Sequence, residues 1–268
     1  MSTTLSLSDE LAELQKRIRS DASNAKLRVH LFQLLCVMGN WQRALSQLQV
    51  CAQLDAKALL MAQTYRETIR CEMFRLEVFA GRRVPQIMGK PPTWIGLMLE
   101  ALRLDSQAGD AGGAAQLRAQ AMNDAAPTEC KVNDVACEWL TDGDARLGPV
   151  CEVIVNGQYY WMPFESCSAI KIEPPSDLRD LVWVPAELML PNEGRVTAFI
   201  PSRYPETAAN EQGRADELKR CRMTEWTEHS QDVWFGLGQR VWMSDVGEHS
   251  IFDTRAIHMS SFVAPESA

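Results

Sequence analysis

Four histidines (at 30, 229, 249 and 258) and eight cysteines (at 36, 51, 71, 130, 137, 151, 167 and 221) are the residues best suited to chemistry. A zinc site would need two of them at short helical or hairpin spacing, as in His-x-x-x-His or Cys-x-x-Cys. Neither spacing occurs. Cys130 and Cys137 are the only close pair, and no His lies near them. Glu228-His229 and Glu248-His249 each set an acid beside an imidazole, but neighbours on a strand point to opposite faces, so neither is a direct dyad. His30 sits among apolar helical residues and reads as packing or rim. Asp177, Asp180 and Glu187 could form a carboxylate pair for acid–base work; strand ends that are solvated, or salt-bridged to Arg179, are the plainer reading. Gly236-x-Gly238 is too short for a dinucleotide loop. There is no phosphate-binding P-loop and no Gly-x-Ser-x-Gly elbow. The sequence therefore offers no catalytic residue, no metal ligand set and no cofactor site. A small hydrolase-like site around His229 or His249 stays as the enzymatic alternative.

The 268 residues suffice for one large or two ordinary domains. Net charge is −8, with 46% apolar residues. An acidic chain is a poor ligand for nucleic acid or an anionic membrane surface. No stretch reaches the ~18 apolar residues of a membrane span. The first residues lack the basic and apolar regions of a secretory signal. Cysteines in apolar contexts read as reduced, buried thiols of a cytoplasmic protein.

The first half is patterned as helices. Leu7, Leu11, Leu14 and Ile18 form one face, preceded by a cap-like Ser6-x-x-Asp9. Leu27, Leu31, Leu34, Leu35 and Met38 form another, ended by Gly39-Asn40. Trp41, Ala44, Leu45 and Leu48 begin its partner. This pair resembles a tetratricopeptide repeat, and residues 94–122, turning at Gly109-Asp110, resemble a second. Between them residues 56–80 predict a long helix that is apolar on several sides, hence wedged between neighbours. A Gly/Pro-rich loop with Arg82, Arg83 and Lys90 follows. Stacked helical pairs form grooves that hold a peptide or an amphipathic helix. On that template Val29, Gln33, Cys36, Leu99 and Arg103 line the groove, and Arg82 and Arg83 form a basic lip for an acidic partner segment.

Residues 128–145 predict one short helix, about 132–140, with the domain boundary near 145. The domains are thus 1–145, helical, and 146–268, mainly β with some helix (α+β). Beyond the boundary, β-branched and aromatic residues predict strands at 150–155, 158–163, 168–173, 181–189, 194–200, 219–226, 239–244 and 250–257. Asn156-Gly157 suits a type I′ hairpin turn. Residues 203–217 are polar and read as a long mobile loop; the tail after His258 carries no pattern and reads as disordered. Five of the eight tryptophans, at 161, 183, 226, 234 and 242, lie here. They form either a core of large rings or an aromatic patch for a partner.

Several blocks together resemble the ImpE/SciE/TagJ family of bacterial type VI secretion accessory proteins. They are residues 147–185, Tyr65, Ile69-Arg70-Cys71-Glu72, Val78-Phe79-Ala80-Gly81 and Gly89-x-Pro91. Further blocks are Ile200-Pro201-x-Arg203-Tyr204-Pro205, Thr224-Glu225-Trp226 and Gly236-Leu237-Gly238-Gln239-Arg240. The resemblance implies a cytoplasmic, non-enzymatic adaptor associated with virulence. It would bind the small contractile-sheath subunit (TssB-like) and link the sheath to the disassembly ATPase ClpV; the groove geometry adds that a sheath helix would lie in it with apolar anchors at i, i+3, i+4 and i+7. A general chaperone or scaffold is the remaining alternative. Oligomeric state is left open.

Overall fold

The computed structural model describes residues 5–106 and 110–260. Six helices come first: α1 (Leu7–Ser20), α2 (Ala25–Val37), α3 (Trp41–Leu54), α4 (Leu59–Phe79), α5 (Thr93–Ser106) and α6 (Ala111–Asp124). Local chemistry sets their ends. Ser6 Oγ accepts from the Asp9 amide, and Asn24 accepts from the Lys26 and Leu27 amides. Gly39 ends α2 at φ +74°, the left-handed region that only glycine enters freely. Asn40 stands at the N-cap of α3 but makes no side-chain capping bond. The turn expected at Gly109, and the tail from 261 onward, lie outside the described residues.

After β1 (Gln86–Ile87), the strands are β2 (Cys130–Val132), β3 (Val135–Cys137), β4 (Leu140–Asp142), β5 (Val150–Val155), β6 (Gln158–Pro163), β7 (Ala169–Ile172), β8 (Trp183–Met189) and β9 (Arg195–Pro201). Then come α7 (Ala215–Lys219), β10 (Thr224–Ser230), β11 (Val233–Gly238), β12 (Val241–Ser244), β13 (Gly247–Ser250) and β14 (Ala256–Met259). A nine-stranded sheet runs β1-β6-β5-β9-β8-β7-β14-β2-β3, with separate sheets β10-β11 and β13-β12-β4. A helical first part and a strand-rich second part are what the patterning predicts.

Four local expectations fail. The helix expected at 132–140 is the β2–β3 hairpin, because Asn133 and Asp134 both take positive φ (48° and 70°) and close a two-residue turn. The strand expected at 250–257 breaks into β13, a turn and β14, and 219–226 divides between the end of α7 and β10. The segment 203–217 is not a free loop: Arg203, Tyr204, Pro205 and Thr207 are buried, and a 3-10 turn spans Pro205–Ala208. The Asn156-Gly157 turn forms as expected, both residues at positive φ.

Strand β5 is buried on both faces, and its alternation sorts its neighbours. Val150 and Ile154 join one buried cluster with Leu31, Leu35 and Ile69 of the helices and Trp161 and Trp183 of the sheet. Cys151, Val153 and Val155 face a second cluster with Met162, Ile170, Trp242 and Ile257. Trp161, Trp183 and Trp242 are core residues, whereas Trp234 is 44% exposed. Apart from β1, the strands begin at Cys130, and the first cluster runs through both parts of the chain.

Candidate functional site

Glu152 occupies the centre of β5, on the face that carries Val150 and Ile154. It therefore points at α4, and α4 presents Arg75 to it. The pair is bidentate: Arg75 Nε and Nη2 donate to the two carboxylate oxygens at 2.6 and 2.8 Å. Arg75 Nη1 donates to Glu72 Oε1 at 3.0 Å, and Glu72 Oε2 accepts from Trp183 Nε1 at 2.9 Å. Tyr159 Oη donates to Glu152 and accepts from Trp161 Nε1. Arg240 bridges Glu152 to Asp142 and donates through Nε to the Pro201 carbonyl at 2.8 Å. Arg75, Glu152 and Arg240 are fully buried.

Burial works against the Glu152 carboxylate, but Arg75 and Arg240 outweigh it and lower its pKa to about 2. At Asp142 burial wins over Arg240, and the pKa rises to about 6. The two set opposite pH slopes. Glu152, depressed in the fold, stabilises above its ordinary value and loses that contribution as pH falls through about 2. Asp142, raised in the fold, stabilises below its ordinary value and loses that contribution as pH climbs through about 6. Unfolding free energy should thus rise from pH 7 to pH 5, level off between 4.5 and 3.8, where the two slopes oppose each other, and fall below that. Urea titrations at pH 7, 5 and 3 check the order; stability still climbing from pH 5 to pH 3 would contradict it.

The family-like blocks interlock at this place. Arg203 sends Nη1 to the Val37 and Lys219 carbonyls and Nη2 to the Cys36 carbonyl, joining the ends of α2 and α7. The Tyr204 hydroxyl lies 3.1 Å from both the amide and the carbonyl of Val241. A Cβ on Gly236 would sit 2.3 Å from the Tyr204 ring, so glycine lets the ring pass.

His229 and His249 make separate local contacts. Ser244 Oγ and His249 Nε2 are 2.8 Å apart, but Ser244 also binds within its own β12–β13 turn, accepting from the Val246 amide. Burial lowers the His249 pKa, with Asp245 opposing. His229 on β10 meets Asp105 of α5 at 3.1 Å and stacks on Phe235 at 4.4 Å. Asp177 and Asp180 form a capping box on the 3-10 turn Leu178–Leu181, and Arg179 pairs with Asp177 at 2.6 Å. All eight cysteines are buried and free; Cys130 and Cys137 face each other across the β2–β3 hairpin.

The proposed groove residues separate. Gln33 and Cys36 are interior: α2 turns that face toward the Leu178–Leu181 turn and Arg203, so the β part of the chain covers it. Val29 and Leu99 are half-buried, and Leu99 packs on the core. Arg103 pairs with Glu100, and Arg82 with Glu77, all exposed; Arg83 is exposed as well. None of the seven lines any of the clefts described below.

An open groove runs elsewhere. A cleft of about 370 Å³ is lined by Met38, Gly39, Trp41, Gln42 and Met73. It shares Gly39 and Trp41 with a second of about 270 Å³, lined by Leu76, Phe79, Ala80, Pro205 and Ala208. That one shares Phe79, Ala80 and Glu206 with a third of about 340 Å³, which reaches Arg146, His229, Phe235 and Leu237. Met73, Leu76 and Ala80 recur at i, i+3 and i+7 of α4 and its end, about 10 Å of helix axis. The groove was not legible beforehand, because Pro205, Ala208 and Phe235 come from segments far from α4 in sequence.

Among the described residues no helix is long and apolar enough to cross a membrane, and no group of three metal-binding side chains gathers. A family model described as ImpE protein matches residues 134–258. Over 252 residues the chain is 49% identical to the type VI secretion system accessory component TagJ of Pseudomonas aeruginosa, spanning 94% of this chain and 86% of that protein. A crystal structure of a Vibrio parahaemolyticus protein superimposes with a TM-score of 0.84 at 23% identity, covering 94% of this chain and 93% of that one. At that identity the likeness shows the fold alone.

Proposed function

This chain belongs to the ImpE family of type VI secretion accessory components, and from that premise we propose that it is a non-enzymatic, cytoplasmic adaptor. Its partner is the small contractile-sheath subunit, and it links that subunit to the ClpV ATPase. We read the α2–α3 and α5–α6 hairpins as tetratricopeptide-like. The supporting observation is the largely apolar groove along α4, whose lining residues Met73, Leu76 and Ala80 have the spacing that meets an amphipathic helix presenting anchors at i, i+3 or i+4 and i+7. It replaces the face of α2 as the docking surface, since that face is filled. Arg82 and Arg83 follow Ala80 by two and three residues and supply the basic lip at the end of α4. Assembly and release in cycles call for a micromolar complex, about −8 kcal/mol.

Met73 is exposed and Ala209, beside Ala208, is exposed in the same groove. Met73→Glu combined with Ala209→Glu should leave the fold intact and weaken binding of the purified small sheath subunit at least about tenfold, because charges enter an apolar contact. Titration calorimetry on the full chain reads this. Unchanged affinity would remove the groove from the proposal.

A further inference from the structure

The outer face of the first three helices carries a different surface. Gln15, Ile18 and Arg19 of α1 recur at i, i+3 and i+4; Arg28 and Leu31 of α2 at i and i+3; Arg43 and Gln47 of α3 at i and i+4. Helix packing brings these faces around one cleft of about 380 Å³, closed at the α1–α2 turn by Ala22. Its lining holds three guanidiniums and two carboxamides, and no carboxylate. Among the described residues none of Arg19, Arg28 and Arg43 has a carboxylate within 4.0 Å, whereas Arg70, Arg75, Arg82, Arg103, Arg118 and Arg146 are all paired. In a chain of net charge −8 such a cluster is a local exception.

Arg28 is already positioned. Its Nη1 donates to Gln47 Oε1 at 3.3 Å and its Nη2 to the Ala22 carbonyl at 3.4 Å, tying α2 to α3 and to the turn. Its Nε is shielded from solvent and has no partner. A guanidinium held in place loses little freedom on binding a carboxylate. Arg19 and Arg43 are exposed on either side, free to close on a ligand. Leu31 and Ala22 give the floor an apolar patch.

We propose that this cleft is a second docking site, which takes an acidic peptide segment: a small apolar side chain on the floor, with Asp or Glu residues on each side engaged by Arg19, Arg28 and Arg43. Charge complementarity selects that occupant. The site is separate from the α4 groove. Trp41 lines the groove and Arg43 the cleft, and two residues are about 200° around a helix, so α3 has a docking face on each side.

The test is a random 12-residue peptide display library panned on the immobilised full-length protein, followed by anisotropy titration of the enriched peptides. Enrichment of sequences with several Asp or Glu around an apolar residue is expected. Arg19→Glu with Arg43→Glu, both exposed and unpaired, should weaken those peptides about tenfold or more without shifting the melting temperature, and raised salt should weaken them on the wild type. Met73→Glu should leave them unaffected, which separates this site from the groove. Acidic peptides that fail to enrich, or that bind the double variant equally, would overturn the proposal. So would inorganic pyrophosphate binding in the cleft without acidic peptides, which would make it a small-anion site.

Discussion

Glu152→Ala is expected to cost about 3–5 kcal/mol, the penalty for leaving buried charge unpaired. A domain of this kind has a total stability of about 5–15 kcal/mol, so the variant should be mostly insoluble or unfold at a much lower urea midpoint. The cause is specific. Arg75 and Arg240 both lie at 0% exposure, and Glu152 holds them together. Its loss leaves Arg75 with Glu72 and Arg240 with Asp142, each cation short of part of its compensation. Fluorescence reports the site directly, since Trp183 donates to Glu72 and Trp161 to Tyr159. Glu152→Gln keeps the shape and should lose less. A Glu152→Ala protein within 1 kcal/mol of wild type, on the order of a surface substitution, would show that the network is solvated.

Arg203→Met should be nearly as severe, at about 3 kcal/mol or more. Arg203 has no carboxylate partner among the described residues, and burial lowers its pKa. Its compensation is the carbonyls of Cys36, Val37 and Lys219, at the C-terminal ends of α2 and α7, where helix dipoles place negative charge. Met leaves the Val37 and Lys219 carbonyls without a donor in the interior, while the Cys36 carbonyl keeps the Gly39 amide. Arg203→Lys is the discriminating variant: a single ammonium lacks the planar fork and should recover only part of the loss. Hydrogen exchange at the end of α2 would report the release of that helix. Wild-type behaviour of Arg203→Lys would mean that charge, not geometry, is what the site uses.

Charge patterning hid both features. Glu152 breaks the apolar run Val150–Val155, whereas Arg75 is one of several charges on α4, beside Arg66, Glu67, Arg70, Glu72 and Glu77, and nothing in the pattern sets it apart. A lone charge at the centre of a fully apolar strand is the signal that could have been used. Strands β5 to β9 were legible because alternation, Asn156-Gly157 and Pro163 mark them locally. The β2–β3 hairpin was not, because Asn133-Asp134 sits between residues that also suit a helix. Segment 203–217 misled for another reason: its composition is that of a loop, but Arg203, Tyr204 and Thr207 find their partners at Val37, Val241 and Gly238. The groove residues Gln33 and Cys36 followed from a repeat template whose concave side is empty, and here the chain's own later half fills it.

The order of strands also bears on how the protein is made. Strand β14 inserts between β7 and β2, and the β2–β3 hairpin reaches the nine-stranded sheet only through it. During synthesis the hairpin at residues 130–137 therefore waits for residues 256–259 to emerge, over a hundred positions later. At about 5–20 residues per second, that is an interval of several seconds or more. Throughout it the open edge of β7 and the unattached hairpin offer bare backbone to neighbouring nascent chains, so chaperone dependence should concentrate there, and a premature stop before Ala256 should yield aggregate rather than a slightly shorter folded protein.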